Sequence, residues 1–218
     1  MTLILAPAEG RRARLWTEFL ALFVGAPVLM AAFFGQYSLF VVLWMLAGVS
    51  AALLALTPGF RWRNLARLPT RREWWMLLGF TALTAAAVTA LVFWLRPHGF
   101  LGLPRYATGL WLMIMVFYPP LSAAPQELIY RALFFERYGQ LFPGRGTAIL
   151  ANGLLFGFGH LFYMNPVTIG ATALAGCAMG WAYLNSRSVI LAWLLHAVAG
   201  CLVFTLGLGR YFYHGAVG

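Results

Sequence analysis

Apolar runs near 15–34, 37–57, 74–95, 147–163, 168–184 and 189–208 leave this chain few choices of fold. As helices rising about 1.5 Å per residue, runs of this length cross a hydrocarbon core about 30 Å thick. A helix also satisfies its own backbone polar groups, as lipid demands. Composition agrees: 62% of the residues are hydrophobic and 9% are charged, against roughly 25% charged in soluble domains. The reading is an all-α polytopic membrane protein. It is expected to be one membrane domain over residues 1–218, a bundle of about seven to eight transmembrane helices. The first run follows a basic flank, "EGRRARLW". A cleaved signal peptide has a shorter apolar core, roughly 7 to 15 residues, so this run reads as a permanent span.

The stretch 107–138 is harder. As one straight helix it would be about 48 Å long. "YPPLSAAP" interrupts it, and proline kinks or breaks a helix. The expectation is a broken helix before "PQELIYR". Arginine placement decides between one crossing and two. One crossing with a cytoplasmic N-terminus leaves eleven arginines inside and three outside, with Arg131 in the membrane. Two crossings would leave eight inside against six. The positive-inside rule favours one.

The charge inventory is 15 Arg with no Lys, and five Glu with no Asp. A net charge of +10 suggests anionic partners. Most arginines flank apolar spans, where they set topology and meet lipid head groups. Membrane lipids are therefore expected partners. No basic stripe alternates with aromatics, so no nucleic acid is expected. The segment "PGFRWRNLARLPTRRE" at 58–73 reads as a cytoplasmic loop or short helix lying on the membrane surface. Cys177 and Cys201 lie in apolar runs and form neither a disulfide framework nor a zinc set. Gly153 with Gly157, and Gly176 with Gly180, have the spacing that lets helices pack closely.

Ionisable groups at bilayer depth are costly and mark function by default. Glu127 and Arg131 share a span and a helix face, with Glu N-terminal to Arg, the favourable order. His160 lies in the next run and His196 in the last. A structural ion pair accounts for the first two but leaves both histidines unexplained. A carboxylate and two imidazoles converging in a dry pocket can activate water and stabilise an oxyanion. They can equally hold zinc, with Glu127, His160 and His196 as candidate ligands and one position open for water. Cofactors are thus either none or a zinc ion. Other chemistries fall by elimination. Without Asp there is no aspartyl dyad, and without Lys no Ser–Lys dyad. Neither H-E-x-x-H nor G-x-S-x-G occurs.

The runs "QELIYR", "FGFGH" and "HAVAG" resemble the three motifs of the CPBP intramembrane proteases: the CAAX-prenyl proteases and the bacteriocin-processing or self-immunity proteins, also called the Abi family. The family pattern is Glu-Glu-x-x-x-Arg, Phe-x-x-x-His and His-x-x-x-Asn, in that order on separate spans. The resemblance covers about residues 107–205. Glu127 and Arg131 match the first motif, Phe156 and His160 the second, and His196 the third. Gln126 stands where the family has its first Glu, and Gly200 where it often has Asn.

The resemblance implies a protease of the glutamic or metal-assisted type. Its catalytic residues would be Glu127, His160 and His196, supported by Gln126, Arg131 and Phe156. Glu127 or His160 would activate water, His196 would stabilise the oxyanion and Arg131 would hold Glu127. Gln126 can hold a water but cannot take its proton. The substrate would be a membrane-associated peptide or protein. The alternative is a catalytically impaired relative that binds a membrane peptide or toxin, as an immunity or scaffold protein. A small carrier is a third possibility, but no repeat or paired discontinuous helices support it. The expected location is the bacterial cytoplasmic (inner) membrane, with the N-terminus in the cytoplasm.

Overall fold

The computed structural model of the protein describes residues 9–33 and 38–212. The expected limits of the first two runs, at 34 and 37, and the ends of the expected 1–218 domain lie outside the described residues. No strand occurs among the described residues. Helix α1 (Glu9–Leu20) passes through a π turn at Ala21–Gly25 into α2 (Ala26–Ala32), forming one rod. Then come α3 (Leu39–Ala55), α4 (Arg71–Leu95), the short α5 (Gly102–Tyr106), α6 (Thr108–Tyr118) and α7 (Ala124–Glu127). The chain closes with α8 (Arg145–Phe158), α9 (Pro166–Ser186) and α10 (Val189–Leu206). Four rods, Gly10–Ala32, α4, α9 and α10, are long and apolar enough to cross a membrane, and α3 is a shorter apolar helix.

The core is apolar, but so is much of the surface. Met45, Leu83 and Leu174 are 66%, 70% and 76% exposed, while Ser50, Glu127, Arg131, Asn152 and Ser188 are buried. So many large apolar side chains on the outside, with a few polar groups paired within, fit a lipid surround, and this is an integral membrane protein.

The break expected at "YPPLSAAP" takes the form of a change in helix type. Pro119 and Pro120 have no N–H to donate, so the α pattern stops at Tyr118. The backbone stays helical through a π turn at Pro119–Ala123, closed by Ala124 N–H donating to the Pro119 carbonyl. After α7 a second π stretch covers Leu128–Tyr138. Near Thr108 the rod meets α10, where Trp111 Nε1 donates to Thr205 Oγ1 at 2.9 Å. Near its other end, Arg137 donates to Glu18 at 2.8 Å and to Thr57 Oγ1 at 3.1 Å. Residues 108–138 therefore cross the bundle once.

The end holding Arg137 is tied by a polar network. Arg187 pairs with Glu136 at 2.9 Å. Arg67 Nε donates to the Ser186 carbonyl at 2.9 Å, and Ser188 Oγ donates to the Arg67 carbonyl at 2.6 Å. The segment 58–73 is thus docked on the α9–α10 turn, with a single 3₁₀ turn at Trp62–Asn64. Thr70 and Glu73 then cap α4 reciprocally. Phe19 and Phe23 each meet Phe134 and Tyr138 edge to face, and Phe19 meets Phe142 in the same way, which binds the α1–α2 rod to the second π stretch and the turn after it. Helices α8 and α9 pack tightly on the expected glycines. A Cβ at Gly153 would press on Cys177 and the Ala173 carbonyl, and one at Gly176 would press on Gly153 and Phe156. Cys177 and Cys201 are both free thiols.

Candidate active site

Glu127 ends α7 with 0% exposure, and Arg131 lies one turn on, equally buried. Arg131 Nε is 3.0 Å from Glu127 Oε2. The two are poorly aligned for a hydrogen bond, so they meet chiefly as charges. The other carboxylate oxygen, Oε1, lies 2.8 Å from His196 Nδ1 on α10. Both oxygens of Glu127 are thus committed.

Arg131 is held from three further sides. Its Nη1 donates to Asn152 Oδ1 and to the Tyr130 carbonyl, and its guanidinium lies 4.9 Å from the centre of the Phe156 ring. Asn152 in turn donates through Nδ2 to the Tyr130 carbonyl at 2.6 Å. Sequence reasoning misses Asn152, on α8. Its signal is an amide buried in an apolar run, four residues before Phe156.

His160 lies just beyond α8, which ends at Phe158, short of the limit at 163 expected for that run. Gly159 and His160 form a turn, Leu161–Tyr163 a 3₁₀ turn, and Asn165 caps α9 with Pro166 in its first turn. His160 Nδ1 is 2.7 Å from the Phe156 carbonyl oxygen. A carbonyl oxygen only accepts, so Nδ1 carries the proton and Nε2 presents its lone pair. The same logic applies to His196, whose Nδ1 proton faces a carboxylate. Phe156 stands between the two imidazoles, edge-on to His160 at 4.9 Å and to His196 at 5.3 Å between ring centres.

These groups border a cavity of about 1340 Å³. Gln126, His160 and His196 line it, together with Tyr118, Ser122 and Tyr130. Glu127 sits behind His196, off the cavity wall. Of the residues expected at the site, the structure therefore brings Gln126, His160, His196 and Phe156 to the lining of one cavity, and places Glu127 and Arg131 as a buried pair behind it. Gln126 Nε2 donates to Ser122 Oγ at 3.1 Å, which leaves its carbonyl oxygen free to accept. Phe40, Leu83 and Leu174 line the cavity and are also exposed on the outer surface, so the cavity is continuous with the lipid-facing side.

A zinc ion in this site would need at least three ligands. No group of three His, Cys, Asp or Glu among the described residues is placed to hold one. His160 and His196 each have a free Nε2, but both Glu127 oxygens are taken by Arg131 and His196. The donor set does not fit a three-ligand metal centre.

No curated protein and no solved structure matches the chain. Residues 107–202, which carry the whole cluster, match the family model described as type II CAAX prenyl endopeptidase Rce1-like, in agreement with the CPBP/CAAX resemblance of the three motifs.

Proposed function

We propose that the protein is an intramembrane endopeptidase that cleaves a membrane-associated peptide or protein by water activation at His160, with Glu127 and His196 as partners. The observation that carries this reading is the pair of imidazoles lining one cavity, each with Nδ1 committed and Nε2 free. The Gln126 carbonyl accepts a hydrogen bond from a water, and His160 Nε2 takes the proton of that water as it attacks the scissile carbonyl carbon. Glu127 fixes the ring of His196, which donates from Nε2 to the developing oxyanion when doubly protonated. The C–N bond then breaks, and His160 returns its proton to the leaving amine. Arg131 holds Glu127 in place from behind.

The apolar, laterally continuous cavity suits a substrate that arrives through the bilayer. The family description names CAAX prenyl endopeptidases, so a prenylated C-terminal peptide belongs in the substrate panel beside unmodified membrane peptides. We place the end with Arg67, Arg137 and Arg187 in the cytoplasm, in a bacterial cytoplasmic membrane, on the positive-inside rule. Gln126 favours a second reading, peptide binding without cleavage, because an amide cannot take up the water's proton.

One assay separates the two. The purified protein in detergent or vesicles is offered both peptide sets, beside His160→Ala and Glu127→Ala. Cleavage by the wild type that His160→Ala abolishes supports the protease. Stable binding without cleavage supports the second reading. Cleavage unaffected by either substitution refutes the roles assigned to His160 and Glu127.

A further inference from the structure

The proposed reaction leaves one requirement unmet. A tetrahedral oxyanion is commonly held by two donors, and His196 supplies only one. The cavity wall holds a second, unused donor. Tyr118 is the last residue of α6, and its side chain lies over Gly200, one turn beyond His196 on α10. A Cβ at residue 200 would run into the Tyr118 ring at Cε1, Cζ and the hydroxyl oxygen, so only glycine leaves room for the phenol there. The ring meets His196 edge-on at 5.9 Å and Phe204 at 5.9 Å. Its backbone is anchored next door, where Trp193 Nε1 donates to the Pro119 carbonyl at 2.7 Å. Trp193, His196 and Gly200 follow one face of α10, at helical spacing. The Tyr118 side chain lines the cavity, and its hydroxyl has no hydrogen-bond partner among the described residues. A phenol held this firmly, with its O–H unspent and a catalytic imidazole beside it, is a preorganised donor awaiting an acceptor.

We propose that the Tyr118 hydroxyl donates a hydrogen bond to the substrate's scissile carbonyl and to the oxyanion it becomes, acting together with His196. Gly200 is the positioning residue that admits it. This rests on the cleavage reading, and no covalent bond at Tyr118 forms or breaks: Tyr118 keeps its proton throughout.

The test uses the full-length protein and an internally quenched membrane peptide from the panel that the wild type cleaves. Tyr118→Phe keeps the ring and removes only the donor. It should lower kcat by about 10² or more while KM stays within about threefold. Gly200→Ala, which pushes the phenol aside, should lower kcat in the same sense. A Tyr118→Phe enzyme with kcat within about threefold of wild type overturns the proposal. So does a loss confined to KM, which would make Tyr118 a packing or binding residue. His160→Ala separates the two levels. If it abolishes cleavage and Tyr118→Phe does not change it, only this inference falls. If the wild type cleaves no peptide, the protease reading falls and takes this one with it.

Discussion

Arg131→Met offers the sharpest test of the buried pair behind the cavity. The substitution keeps most of the stem and removes the charge, leaving Glu127 at 0% exposure without its guanidinium. Removing one partner of a buried ion pair costs about 3–5 kcal/mol. The Asn152 Oδ1 atom loses its donor as well, and an orphaned buried acceptor adds about 1–3 kcal/mol. His196 still holds the other carboxylate oxygen, which keeps the total near the lower figures, about 4 kcal/mol. Domain stabilities are about 5–15 kcal/mol, so this is a large fraction. It corresponds to a fall in Tm of about 10 °C for a chain of this length. Thermal unfolding in detergent, followed by helical circular dichroism, measures it. The decisive comparison is the cycle with Glu127→Gln. Either single change strands a buried charge, and the double change strands none. The double variant should therefore be more stable than Arg131→Met alone, with a coupling energy of at least about 2 kcal/mol. If the two losses simply add, Glu127 and Arg131 do not compensate each other and the charge argument is wrong.

His160→Ala should lower the cleavage rate by at least about 10²-fold with an unchanged circular dichroism spectrum; a smaller loss would move the base elsewhere. Gln126→Leu keeps the volume but removes the group proposed to hold water, and kcat in the peptide assay should fall by about tenfold or more. Chelators should leave cleavage intact, because the donor set lacks a third ligand; activity lost to a chelator and restored by zinc would refute that account. Gly153→Ala forces a methyl group against Cys177 and the Ala173 carbonyl, so it should cost about 1–3 kcal/mol by overpacking, read as a lower unfolding temperature.

The apolar helices and the short set of candidate site residues are legible in the sequence because both follow local rules. Apolar length sets what can cross a bilayer, and the four-residue spacing puts Glu127 and Arg131 on one face. Arginine placement favoured a single crossing for 107–138, and the contacts at both ends of that rod agree. Other features were not legible. "YPPLSAAP" announced a fault in the helix, but not that a π turn would absorb it. The run around His160 is apolar enough to continue as helix, yet α8 stops at Phe158. Asn152 gave only the weak signal of one amide among apolar residues.

The class of protein, the crossing elements and the short set of ionisable groups that must find partners in lipid follow from the order of residues alone. They rest on transfer free energies and helical periodicity, which act residue by residue. What each polar group does with its atoms is settled in three dimensions. The fold spends both Glu127 oxygens on Arg131 and His196, leaves His160 and His196 with free Nε2 atoms on the cavity wall, and lays Tyr118 into the space over Gly200. Those outcomes depend on contacts between helices far apart in the chain. Local spacing limits which residues can share a face, but packing alone decides which of their atoms remain free.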